Sequence, residues 1–210
     1  MKKAAVFEDI YQQYLTEVSA VDLDHAAGIL GVGRDGNAAL IPFYGMPYRV
    51  SRSGITDSRG RRPDHAVSVI LCRYLLLCPE EKPSAETEWI RYNNFRDAAP
   101  FAGGFFNTAE RPIAEAFSGR LTDLKKAAKA MGAEPHESSI SCDLALRLQA
   151  LPCVPLLLLF NDRDEEFPAD CSLLFDKRAT DHLDVECLAM LGMVLAAWLK
   201  GTPGGPENGF

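Results

Sequence analysis

Three short stretches of this chain carry side chains that can do chemistry. The first is Asn161-Asp162-Arg163-Asp164-Glu165-Glu166, which follows the apolar run Val154 to Phe160. Asp162, Asp164 and Glu165 put hard oxygen donors in one loop, as Ca²⁺ or Mg²⁺ prefers. The offsets do not complete an EF-hand loop, because no glycine and no distal glutamate stand where that loop needs them. The plainer reading is a polar hairpin loop. The second stretch holds His182 and Glu186, with Asp181 and Asp184 beside them. Residues four apart on a helix share a face, so imidazole and carboxylate could meet one ion. Two ligands do not make a zinc site, however. The plainer reading is that Asp181 caps a helix whose first-turn acids suit its dipole. Asp162, Asp164, Glu165, His182 and Glu186 form a metal set only if loop and helix converge. The third stretch is Phe101, Gly103, Gly104, Phe105 and Phe106. A Gly-Gly pair lets backbone approach a ligand closely, and flanking aromatics suit an apolar pocket wall. Here core packing and pocket wall are the two alternatives.

Other chemistries find little support. There is no GxxxxGK[ST] phosphate loop, and Gly31-Val32-Gly33 follows a helical pattern and lacks a third glycine. There is no GxSxG elbow. The cysteines at 72, 78, 142, 153, 171 and 187 form no CxxC pair and no cluster-binding run. Cys72 and Cys187 sit in apolar stretches, where a free thiol packs as a small hydrophobe. Reduced structural thiols of a cytoplasmic protein are the expectation.

The formal net charge of −7 disfavours a phosphate backbone as partner, so no nucleic acid is expected. Arg49, Arg52, Arg59, Arg61 and Arg62 are a local exception, read as a solvated strand end and loop or as an anion-docking patch. Ala66 to Leu77 and Cys187 to Leu199 are apolar but shorter than the roughly 20 residues of a membrane span, so no membrane is expected. The start, Met1-Lys2-Lys3, leads into Glu8 and Asp9 and not into a signal-peptide core.

These stretches need positioning elements, and the patterning supplies them. Phe7, Ile10, Tyr14, Leu15 and Val18 have helical spacing. Asp22 caps a second helix through Ile29, closed at Gly31. Ala39 to Tyr44 and Tyr48 to Ser51 read as a hairpin turning at Gly45-Met46-Pro47. Pro63 suits the first turn of a helix to about Leu77. Pro100 to Phe106 has no clean period. Ile113, Phe117, Leu121, Leu124 and Ala128 line two helices broken near Gly119. Leu144, Leu146 and Leu148 alternate as a half-buried strand, Val154 to Phe160 reads as a strand covered on both faces, and Cys171 to Phe175 as a third. A helix from about His182 to Leu199 closes the chain. Strands that cluster in two groups predict an α+β fold with a mixed or antiparallel sheet. One domain is expected over 1–200, with a loose tail over 201–210.

Taken together, Asp164-Glu165-Glu166-Phe167-Pro168-Ala169, Leu173-Leu174-Phe175-Asp176, Leu183, Glu186, the Phe101–Phe106 segment and the helix Val67 to Leu77 resemble the DUF3786 family over roughly residues 10 to 200. That resemblance implies an uncharacterised domain of bacteria and archaea, mostly anaerobes. Some relatives carry an added iron–sulfur cluster domain, and corrinoid metabolism is a suspected setting. This chain lacks the cluster-binding cysteines, so the resemblance does not carry a cluster here. It implies no catalytic residues. The leading expectation is a non-catalytic accessory module binding a small molecule or a protein partner in iron–sulfur or corrinoid cofactor metabolism. The alternatives are a metal-dependent enzyme and an interaction protein, including a homodimer.

Overall fold

The computed structural model describes residues 2–82, 88–201 and 205. Helix α1 (Lys2–Val18) is followed by α2 (Leu23–Leu30), whose Asp22 cap accepts the amides of Asp24 and His25 and whose end at Gly31 is left-handed, φ 68°. The expected hairpin is the middle of a four-stranded antiparallel meander: β1 (Gly33–Asp35), β2 (Ala38–Phe43), β3 (Met46–Ser51) and β4 (Gly54–Asp57). Strands β2 and β3 turn through Tyr44 and Gly45, both at positive φ, as the tightest hairpin turn demands. Pro42 faces Pro47 one pair beyond Phe43 and Met46, a place where neither missing N–H costs a ladder bond.

Helix α3 (His65–Leu76) starts two residues after Pro63. Its cap is Asp64, whose carboxylate accepts the Val67 amide at 2.9 Å. Next come β5 (Trp89–Arg91) and a 3₁₀ turn (Tyr92–Asn94). The aperiodic segment after it is helical. Helix α4 (Ala99–Phe105) runs through a π-turn (Phe106–Glu110) into α5 (Arg111–Phe117). Pro112 has no N–H for a normal α bond, and the Arg111 amide reaches back five residues to the Phe106 carbonyl. The Asn107 and Thr108 side chains donate to the Gly103 and Gly104 carbonyls, both at 2.8 Å. The extra residue per turn keeps Phe105, Ala109, Ile113 and Phe117 in one buried row.

Helix α6 (Leu121–Ala130) leads into the second sheet, ordered β5-β9-β8-β7-β6 and antiparallel throughout, with β6 (Glu134–Pro135), β7 (Leu144–Leu151), β8 (Val154–Asn161) and β9 (Asp170–Asp176). Residues Val154 to Phe160 of β8 are buried without a break, as their unbroken apolar run predicts. A bulge between Gln149 and Leu151 lies opposite Pro155, and the Ala150 carbonyl it frees accepts the Tyr44 amide at 3.0 Å. That bond ties the two sheets together. Helix α7 (Val185–Leu199) is apolar on nearly every side and lies in the core, with the Tyr44 hydroxyl donating to its Leu191 carbonyl. The architecture is α+β, with one apolar cluster running from Tyr11 to Leu199 across both sheets. Of the expected tail over 201–210, only 201 and 205 fall within the described residues.

The cysteines divide by depth. Cys72, Cys171 and Cys187 are buried, whereas Cys78, Cys142 and Cys153 are half-buried. Burial pushes the Cys72 thiol up to about 12 and raises Cys171 and Cys187 as well. Thiolates are the reactive form, so alkylation of the native chain at pH 8 should modify Cys142 and Cys153 and spare these three. Mass spectrometry of peptides after a timed pulse checks this; early labelling at Cys72 or Cys187 would contradict the core described above.

Candidate functional site

The glycine–phenylalanine segment is where sequence and structure meet. Phe105 points inward, stacked on Tyr92 with ring centroids 4.3 Å apart and backed by Phe175. Its position depends on α7. A methyl group on Gly192 would lie 2.5 Å from the Phe105 ring, so the two helices touch at the one residue that allows it. Phe106 turns the other way and is 46% exposed. Between Phe105, Phe106 and Ala102 on one side and Arg91, Tyr92 and Asn93 on the other lies a cavity of about 220 Å³. That is room for about seven waters at ~30 Å³ each, enough for a small planar molecule.

Glu110, on the π-turn, forms the inner wall. Its Oε1 accepts the Leu173 amide at 2.9 Å, just beyond the last pair of β5 with β9. The carboxylate thus continues an edge that β5 leaves open. Burial raises its pKa, against the opposing pull of the Leu173 amide and Arg91. A carboxyl so placed can accept from a bound donor, or donate once protonated. With Phe106 it also walls a neighbouring recess beside Ala169 and Cys171. Sequence reading missed Glu110, Arg91 and Tyr92, which lie apart in the chain. The only signal was Pro112 shortly after Glu110, which hints at an irregular turn.

The other residues of the segment serve differently. Phe101 is exposed on α4. Gly103 and Gly104 are exposed too, and a methyl group on either would meet nothing within 4 Å. The pair therefore makes no close approach within the chain, and core packing alone does not explain the segment.

The proposed metal ligands do not come together. Asp162 is used by the fold: its Oδ1 accepts the Gly119 amide at 2.6 Å and the Arg163 amide at 2.8 Å, docking the acidic loop on the α5–α6 turn. Asp164 closes its own loop by accepting the amides of Glu166 and Phe167, which lowers its pKa. Glu165 is exposed. His182 is not on α7. Asp184, not Asp181, caps that helix by accepting the Cys187 amide at 2.8 Å, so helical geometry begins between His182 and Glu186 and they share no helix face. Glu186 is exposed in the first turn, while His182 is buried near Cys153 and Pro155. Those residues begin β8 and the acidic loop follows its end, about 20 Å away at ~3.3 Å per residue. Among the described residues, no three His, Cys, Asp or Glu side chains are placed to hold one ion.

The arginine-rich stretch is largely paired. Arg49 meets Asp35, Arg61 meets Asp57, and Arg62 meets Glu8 while lying 3.5 Å over the Tyr11 ring. Asp57 also accepts the amides of Arg59 and Arg61, so the loop is organised from within. Among the described residues, no helix is long and apolar enough to cross a membrane.

A family model described as Domain of unknown function (DUF3786) matches residues 22–198. No curated protein and no solved structure matches the chain.

Proposed function

The chain belongs to the DUF3786 family, and we propose that it serves there as a non-catalytic binding module for a small planar polar molecule. One observation carries this reading: an aromatic-walled cavity stands open between Phe106 and Tyr92, with the half-buried Glu110 carboxylate as its polar anchor. A few convergent polar groups in an apolar recess are what a small-molecule site needs. The setting in iron–sulfur or corrinoid cofactor metabolism is inferred from the family resemblance alone. A fragment screen of planar amides and amines, followed by amide NMR of the whole chain, tests the proposal. Hits should shift Tyr92, Phe106 and Glu110, and both Phe106→Ala and Glu110→Gln should weaken them about tenfold, the equivalent of one lost hydrogen bond or aromatic contact. Hits that bind both variants equally would overturn it.

The 38% and 46% exposure of Phe101 and Phe106 favours a second reading, in which the same rim docks a protein, a second copy included. Sedimentation across a hundredfold concentration range, with Phe106→Glu as the comparison, decides it. A wild-type chain that stays monomeric throughout removes the homodimer.

A further inference from the structure

The opposite end of the second sheet holds a cavity unrelated to the phenylalanine pocket. It has a volume of about 350 Å³ and lies between the end of α2, the β7–β8 turn and the 3₁₀ turn Lys177–Asp181 that follows β9. Lys82, Arg147, Arg178, Gln149 and His182 supply its polar wall, and no Asp or Glu among the described residues lines it. Three cationic side chains surround this hollow in a chain of net charge −7, with Asp176 paired to Arg178, Asp181 beside His182 and Glu134 across the β6–β7 pair from Arg147.

Two of these groups have few partners in the fold. Arg147 stands on the outer face of β7, where its Nη2 donates to Gln149 Oε1 at 3.2 Å, and it forms no ion pair with a described residue. His182 is 3% exposed, and its Nδ1 is the one buried side-chain nitrogen or oxygen of the described residues that has no hydrogen-bond partner. A buried polar atom without a partner is costly, and native proteins rarely keep one without a use. The frame around them is firm. The Arg178 guanidinium is held at 2.9 Å by the buried Asp176. The Tyr74 hydroxyl donates to the Leu30 carbonyl at 2.9 Å and accepts the Cys153 amide at 3.0 Å, pinning the β7–β8 turn to α2. That contact also occupies a carbonyl at the negative end of α2, which would otherwise repel an anion.

We propose that this cavity is a binding site for a small anion, a phosphate or carboxylate group held by Arg147 and His182 beside the fixed Arg178. A planar guanidinium matches either group in a two-pronged fashion, and the His182 ring on the cavity wall lies where a turn of the ring would bring an N–H to its oxygens. The site does not depend on the phenylalanine pocket, so either assignment stands or falls alone.

The test uses the full chain with inorganic phosphate and succinate as separate probes. Calorimetry should give saturable binding of at least one, and its preference assigns phosphate or carboxylate. Nitrogen NMR of the histidine rings should show the His182 signals moving along the same isotherm. Arg147→Gln removes an exposed side chain without disturbing the core, and it should weaken binding about tenfold or more, as loss of a charged hydrogen bond does. Arg49→Gln, in the other sheet, should leave it unchanged. Absence of saturable binding by either probe overturns the proposal, as does equal affinity of wild type and Arg147→Gln, or a His182 signal that stays still at saturation.

Discussion

Replacing Gly192 with valine should lower the unfolding temperature by roughly 6–12 °C, the equivalent of about 3 kcal/mol for a chain of this size. The first added carbon would lie 2.5 Å from the Phe105 ring and 3.0 Å from the Ala109 methyl. Phe105 has no room to retreat, since Tyr92 is stacked on it and Phe175 backs it. The helix pair must therefore separate, and the pocket floor moves with it. Gly192→Ala should cost less, because alanine regains about 1 kcal/mol of helix propensity over glycine. Combining Gly192→Ala with Phe105→Leu should cost less than the sum of the two, because the smaller side chain admits the added methyl. Thermal melts followed by circular dichroism check all three; a valine variant that melts within a degree of wild type would refute the close crossing.

Asp184→Ala should lose about 2 kcal/mol. Asp184 both caps α7 through the Cys187 amide and accepts Arg73 Nε and Nη2 at 3.0 and 2.8 Å. A cap contributes about 1 kcal/mol, and charged hydrogen bonds a little more, discounted here because both side chains are about a third exposed. Asp184→Asn keeps a capping oxygen and gives up the charge, so it should cost about half as much. Burial pushes the Asp184 carboxyl up, but the Cys187 amide and the Arg73 guanidinium outweigh it and hold its pKa below the usual range. A depressed folded pKa contributes stability above the unfolded value of about 3.9, and that contribution fades as pH falls through the folded value. The gap between wild type and Asp184→Asn in urea melts should therefore be full at pH 6 and shrink below about pH 4. A gap that is constant with pH would mean the charge of Asp184 contributes nothing.

The elements with a regular pattern were legible in the residues. Asp22 and Gly31 bracket α2, the alternation of Leu144, Leu146 and Leu148 places β7 on one face, and the unbroken run to Phe160 marks the buried β8. Helix α5 was legible from Ile113 and Phe117, but α4 and the π-turn before it were not. Gly103, Gly104 and Pro112 are poor helix formers, and the helix persists because α7 packs on it and because Asn107 and Thr108 satisfy the glycine carbonyls. The start of α7 was misjudged for a related reason. Asp181 and Asp184 are equally good caps in sequence, and only the 3₁₀ turn Lys177–Asp181 assigns the role to Asp184.

The sequence by itself determined the α+β class and the burial of β8 and α7, and left the Phe101–Phe106 segment open between core packing and pocket wall. Hydrophobic periodicity and capping residues are local signals that survive without a partner. Tertiary structure alone decided which side chains meet. Glu110 reaches an amide 63 residues away, His182 lies far from the acidic loop it would have to join to complete a metal set, and Arg147 shares a cavity with His182. Such meetings depend on strand order and register, which set distances of tens of ångströms and leave no trace in the spacing of residues along the chain.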